Sequence, residues 1–147
     1  MTPDVDLTAA EPAALDSVEA LLEEASLPTA DLERAPVQLF VCEAADGLVG
    51  VGGLESCGEY ALLRSVAVEP SARGRGYGTS ICEALLERAR LDGVSSVFLL
   101  TTTAADFFAD LGFEPVERGS VPESVRRTEE FADICPSTAV CMRHTLE

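Results

Sequence analysis

The chain has 147 residues, the size of one ordinary domain, and 47% of them are hydrophobic, which excludes a disordered polymer. It carries 26 acidic residues against 10 basic ones, all arginine, for a formal net charge of −16; such a surface repels phosphate backbones and argues against a nucleic-acid partner. No apolar run approaches the roughly 18 residues that span a bilayer, and the acidic start Met1-Thr2-Pro3-Asp4-Val5-Asp6 lacks the order of a signal peptide, so a cytoplasmic protein with no membrane partner is expected.

Residues 5–9 can form a short first strand. From Pro12 to Ala25 the apolar residues Leu15, Val18, Leu21, Leu22 and Ala25 recur with the period of one helix face. Residues 29–36 read as loop. Gln38 to Ala44 and Leu48 to Glu55 form a predicted hairpin about Ala45-Asp46-Gly47. Gly50, Gly52 and Gly53 either weaken its second strand or let another element come close. Glu59 to Val68 is a third strand in series, reached through Cys57-Gly58 and ended by Pro70.

A glycine-rich stretch, 73–78, then leads into a helix to about Leu91, with Tyr77, Ile81, Leu85 and Ala89 as its apolar stripe and Asp92-Gly93 as its stop. Val94 to Thr101 has no polar alternation after Ser96 and reads as a strand buried on both faces. Ala104 to Leu111 is a short helix ended by Gly112. Phe113 to Glu117 and Thr138 to Leu146 are closing strands, with a partly helical connector, 122–134, between them. The order predicts a single α+β domain, 1–147, with a mixed central sheet.

The carboxylates are spread along the chain rather than clustered. That favours a solvated surface suited to very high salt, hence a halophilic source, over an electrostatic funnel for a cationic substrate. Cysteines 42, 57, 82, 135 and 141 are odd in number and lack metal-site spacing, so they read as small buried hydrophobes and no metal is expected.

Chemistry concentrates in Ser65 to Gly78. A strand ends, a short loop turns, and a helix begins on glycines. The first turn of a helix has N–H groups without intrahelical partners, and its dipole adds partial positive charge. Glycines remove the side chains that would keep an anion away, and Arg73 and Arg75 add forked donors. The segment therefore reads as a phosphate cradle. It lacks the spacing of a dinucleotide fingerprint and the Gly-Lys-Ser/Thr of a Walker loop.

Arg73, Gly76 and Gly78 stand at the spacing of the GNAT acetyltransferase signature: Arg or Gln, two residues, Gly, one residue, Gly or Ala. Ser65 to Val68 resembles that family's fourth strand, and Ala104 to Phe113 its later helix ending in Gly-Phe. The resemblance covers roughly residues 5–146. It implies a GNAT-like mixed sheet flanked by helices, with a splayed strand pair for acetyl-CoA as co-substrate. It further implies a small-molecule amine that attacks the thioester directly, and a homodimer as the family-level expectation.

On that pattern the cofactor-binding residues are Val66, Ala67 and Val68 along the pantetheine arm, Arg73, Gly74, Arg75, Gly76, Tyr77 and Gly78 at the pyrophosphate, and Phe108; for Phe107 and Phe108 packing in the core is preferred over packing on the pantetheine. A backbone N–H near Val66 would polarise the thioester carbonyl. Glu55 is the leading catalytic base, with a solvated strand carboxylate as the alternative and Glu59 and Glu69 as weaker candidates. Arg64 either meets a substrate carboxylate or oxyanion or forms a salt bridge with Glu55. Where relatives carry a tyrosine acid, four residues before Gly112, this chain has Phe108; Tyr60, Tyr77 and Thr101 are other donors, Thr101 also a substrate-side candidate. His144, the single histidine, reads as a surface strand residue.

Gly53 to Glu55, Leu62 to Val68, Leu99 to Ala104, Glu130-Phe131 and Cys135 to Ser137 are similar to the arsenic-resistance N-acetyltransferases, which implies an arsenic or toxin connection. A non-catalytic sensor of CoA or of a metalloid, through Cys57 and Cys135, and a protein N-terminal acetyltransferase are the alternatives.

Overall fold

Seven strands form one sheet in the order β1-β2-β3-β4-β5-β7-β6. The computed structural model describes residues 6–9, 15–24, 37–44, 47–69, 72, 74, 76–101, 104–128 and 139–146. The strands are β1 (Asp6–Ala9), β2 (Val37–Ala44), β3 (Gly47–Cys57), β4 (Tyr60–Val68), β5 (Ser96–Thr101), β6 (Glu114–Pro115) and β7 (Val140–Thr145). The helices among the described residues are α1 (Leu15–Glu24), α2 (Tyr77–Leu91), α3 (Ala105–Asp110) and α4 (Glu123–Arg126), with a 3-10 turn at Arg118–Ser120. Every neighbouring pair is antiparallel except β4 with β5, which makes the sheet mixed as the element order predicts.

Helix α1 buries Val18, Leu21 and Leu22 against Leu39, Val41, Val51 and Ala67 of the sheet. Helix α2 buries Ile81, Cys82, Leu85 and Ala89 in the largest core cluster, with Leu63, Val97, Leu99 and Phe113. Burying Ile81 and Leu85, both fully shielded, stabilises the fold by about 1.5–3 kcal/mol each. The glycines of β3 make that contact possible. A Cβ on Gly50 would lie 2.6 Å from Ile81 Cδ1 and one on Gly52 2.6 Å from Leu85 Cδ1. Close approach, not a weak strand, is therefore what these residues serve.

Strand β5 buries Val97 and Leu99 in the α2 cluster and Phe98 in a cluster with Leu62, Val121, Val125 and Cys141, so both of its faces are covered. Helix α2 stops as its Asp-Gly predicts: Gly93 adopts φ 84°, and the N–H of Val94 donates to Ala89 O at 3.0 Å.

Two differences from the chain-order pattern matter. The last strand, β7, inserts between β5 and β6 rather than closing the outer edge. The strand expected over 113–117 is only Glu114–Pro115, because a proline offers no N–H to extend the ladder. Much of the predicted connector, 129–134, lies outside the described residues.

Candidate active site

The site begins where β4 stops pairing with β5. Their parallel ladder runs Tyr60↔Ser96, Ala61↔Val97 and Leu62↔Phe98 and then ends, although β4 continues to Val68 and β5 to Thr101. The strands splay as expected. On its other side β4 stays paired with β3, but the register slips: Val51 faces Ala67 whereas Gly53 faces Arg64. Between those pairs β3 supplies only Gly52 while β4 supplies Ser65 and Val66, which is a β-bulge on β4. Ser65 adopts φ 60°, the one positive-φ residue other than glycine among the described residues.

The extra residue changes which side chains face α2. Before it, Ala61 and Leu63 belong to the α2 cluster; beyond it, Val66 and Val68 pack there while Ala67 joins the α1 cluster. Val68 thereby lines a groove of about 280 Å³ with Ala72, Gly74, Gly76, Tyr77, Gly78, Thr79 and Phe107.

The floor of the groove is the N-terminus of α2. Its cap residue, Gly76, has φ 85° and contributes no side-chain bond. The N–H of Ser80 donates to Gly76 O at 3.1 Å, which is the first bond of the helix ladder. The amides of Tyr77, Gly78 and Thr79 precede it, where a helix leaves its donors without intrahelical partners. No acidic residue stands in the first turn of α2, in a chain with 26 carboxylates, so the positive end of the helix is not neutralised from within.

The three glycines serve different ends. Gly74 and Gly76 sit at φ 80° and 85°, which a side chain would strain. Gly78 is helical, and a Cβ there would meet Phe107 at 3.5 Å and Val68 at 3.7 Å, ordinary contacts. The fold thus tolerates a side chain at 78, and the space it would fill is the groove. That is the shape a wrapped pyrophosphate and its pantetheine arm require. Arg73 and Arg75 lie outside the described residues.

Glu55 and Arg64 lie on the other side of β3 and β4. Arg64 Nη1 donates to Glu55 Oε1 at 3.0 Å, with side-chain exposures of 0% and 4%. Of the two sequence alternatives for Arg64, the salt bridge is present. Glu55, expected to face the cleft, is instead buried against this guanidinium. Arg64 Nε also donates to Ser65 Oγ, a long contact of 3.4 Å.

Phe108 takes the core reading of its two alternatives and packs between Phe107 and Phe113, with ring centroids 5.1 and 5.7 Å away. The neighbouring Phe107 lines the groove instead. Thr101 ends β5, and its Oγ1 accepts from the Ala104 N–H at 2.9 Å, holding the turn into α3. Tyr77 lines the groove. Tyr60 sits at the closed end of β4, edge-on to Phe98, and a hydrogen bond with Glu59 raises its hydroxyl pKa. His144 packs edge-on against Phe113 at 5.2 Å.

Cys42, Cys57, Cys82 and Cys141 are buried free thiols, as expected; Cys135 lies outside the described residues. Burial first, then Glu55, pushes the Cys57 thiol up to about 12, and burial does the same to Cys82 with Glu83 adding to it. Among the described residues no group of three or more histidine, cysteine or carboxylate side chains could hold a metal. Ser65, Ala72 and Thr79 are the residues that sequence reasoning missed. Thr79 had a signal, as the third amide of a glycine-opened helix; Ser65 had none.

Residues 35–115 match the acetyltransferase (GNAT) domain family. An amino-acid acetyltransferase of Neisseria meningitidis serogroup A is 32% identical over 101 residues, 65% of this chain and 22% of that protein. One from Ectopseudomonas mendocina is 36% identical over 94 residues, 59% of this chain and 21% of that protein. The chain thus spans about a fifth of the length of these curated relatives. Among solved structures, N-acetylglutamate synthase from Neisseria gonorrhoeae, complexed with coenzyme A and N-acetyl-glutamate, superposes with a TM-score of 0.82 at 22% identity, over 100% of this chain and 36% of that one. A Mycobacterium tuberculosis structure in complex with CoA gives 0.79 at 24% identity, covering 97% of this chain and 99% of that one.

Proposed function

Because the chain belongs to the acetyltransferase (GNAT) domain family, we propose that it is the catalytic domain of an acetyl-CoA-dependent N-acetyltransferase whose acceptor is the amine of a free amino acid. Its fold is the GNAT fold, a mixed seven-stranded sheet with four helices among the described residues. The acceptor class rests on relatives that are amino-acid acetyltransferases and on a neighbour that holds coenzyme A with N-acetyl-glutamate. The observation that carries the reading is the start of α2: a cap glycine that gives the amides of Tyr77, Gly78 and Thr79 no side-chain bond, no acid in the first turn, and a groove kept open by Gly78.

In this reading those amides hold the pyrophosphate, and the forked donors of Arg73 and Arg75 add to its charge recognition. The β4 edge from Val66 through Ala67 to Val68, which has left β5, hydrogen-bonds the pantetheine amides as a strand partner would. Phe107 takes the place at the arm that the sequence assigns to Phe108. The Val66 N–H points its dipole at the thioester carbonyl, where charge develops as the amine attacks. The C–N bond forms, the C–S bond breaks, and coenzyme A leaves as a thiolate that solvent protonates, since Phe108 carries no proton to give. The amine proton passes to water, because Glu55 is buried against Arg64.

The narrower likeness to arsenic-resistance acetyltransferases fits the same acceptor chemistry, an amino-acid-like amine bearing the metalloid. A metalloid-sensing role draws no support from Cys57, a buried thiol kept protonated. The acidic surface fits a fold that works at very high salt.

Isothermal titration with coenzyme A tests the site. The wild type binds, and Gly76→Val combined with Arg73→Glu weakens binding by about a hundredfold or more; equal affinity in the variant defeats the assignment. A panel of free amino acids with acetyl-CoA, followed by thiol release, tests the acceptor. Turnover on peptides in preference to free amino acids points to a protein N-terminus instead.

A further inference from the structure

Ser65 is held at φ 60°, a left-handed conformation that strains any residue with a Cβ. Such strain persists only where the surroundings over-determine it. Here the ladder fixes both flanks, through Gly53↔Arg64 and Val51↔Ala67. The residue before it, Arg64, reaches Glu55 through Nη1 at 3.0 Å and turns its Nε back to Ser65 Oγ at 3.4 Å. Glu55, Arg64 and Ser65 are all buried, at 3, 3 and 5% exposure.

We propose that Glu55, Arg64 and Ser65 form a strut that sets the β4 bulge and so aims the Val66 backbone into the groove. They are positioning residues for acyl transfer. The inference rests on the acetyltransferase reading above and deepens it, by giving the buried pair a role other than proton transfer. Without the extra residue the alternation after Leu63 would continue, placing Ser65 and Ala67 toward α2 and turning Val66 and Val68 away. The groove would lose its Val68 wall, and the amide at 66 would point elsewhere. A guanidinium suits the task because one planar fork can serve two acceptors at once. The pair's burial adds rigidity, since parting it would strand a charge in the interior.

Three variants separate this role from others. Ser65→Gly removes the backbone strain and the Oγ anchor together. Arg64→Lys keeps a cation opposite Glu55 but has no Nε to turn back. Glu55→Gln keeps shape and removes the charge. Coenzyme A affinity, kcat, and the pH profile of kcat/KM are measured for each, with amide shifts of residues 66–68 by NMR. All three variants are expected to lower kcat by about tenfold or more, with coenzyme A affinity falling by a smaller factor than kcat, since the β4 wall shifts while the helix end is untouched. The Ser65→Gly melting temperature holds or rises, and the pH profile of Glu55→Gln keeps the wild-type limbs.

Ser65→Gly or Arg64→Lys with wild-type kcat overturns the strut. So does a Glu55→Gln profile that loses its acidic limb while Arg64→Lys stays active, because that is the signature of a general base. A wild type that binds coenzyme A but acetylates no amine defeats the acetyltransferase reading instead. The strut is then judged on the amides: unchanged shifts at 66–68 in all three variants overturn it, and displaced shifts uphold it.

Discussion

The two halves of β4 belong to one strand and have opposite fates. Tyr60 to Leu62 is zipped to β5 on one side and β3 on the other, and Leu62 is fully buried. Leu63 to Val68 keeps β3 but leaves β5; Val66 and Val68 stay half-buried, and Val68 lines the groove. Apolar content alone does not set their fates, since Val66-Ala67-Val68 is as apolar as Tyr60-Ala61-Leu62. One inserted residue does. It follows the point where β4 has already left β5 and moves the valines to the helix face, so the strand becomes a wall of the groove.

The comparison is broken most strongly in the closed half. Leu62→Ala leaves a cavity in a fully buried position and lowers unfolding stability by about 2–5 kcal/mol, yet coenzyme A titrated onto the folded variant binds with wild-type affinity. Val68→Ala reverses the pattern, with a small stability loss and weaker coenzyme A binding. Urea unfolding and calorimetric titration on both variants read the contrast. Equal effects of the two on affinity would erase the distinction between the halves.

A thiol lies under each half, Cys57 packed with Leu62 and Cys82 with Leu63, Val66 and Val68. Both are held near 12 in the folded chain, above the ordinary value of 9.0. The fold therefore retains protons that the unfolded chain gives up. Stability from these groups is complete below pH 9 and falls as pH rises toward 12. Urea midpoints across that range should decline, and Cys57→Ala with Cys82→Ala should make the decline shallower. An unchanged slope would mean that the thiols are not shielded as described.

The smallest effect is the sharpest in meaning. Gly78→Ala meets only ordinary contacts and should leave stability unchanged or raise it by about 0.5 kcal/mol, with a modest loss of coenzyme A affinity. Gly78→Leu should fold and bind no coenzyme A. If Gly78→Leu binds normally, the groove is not the cofactor site.

Much of this was legible in the residues. The helix periods around Leu21 and Leu85, the uninterrupted Val97 to Leu99 run and the glycine loop each report a local cause, and each appears where expected. The signature at Arg73, Gly76 and Gly78 pointed to the helix end that floors the groove. What stayed hidden depends on partners distant in sequence. Nothing in Arg64-Ser65-Val66 announces a left-handed serine, because the bulge is imposed by register with β3. Phe107 and Phe108 are adjacent on a six-residue helix, too short for its periodicity to show which one faces the groove. Glu55 and Arg64 looked like two candidate site residues, and only the hairpin register brings them together. The insertion of β7 beside β5 is likewise a tertiary choice.

The central claim is that the exposed amides at the start of α2 grip a diphosphate. Following the backbone amide resonances of residues 76–79 by NMR while coenzyme A is added tests it most directly. The account predicts large, saturable downfield proton shifts at Tyr77, Gly78 and Thr79, absent when pantetheine without the nucleotide is used. Coenzyme A binding that leaves those resonances in place would contradict it.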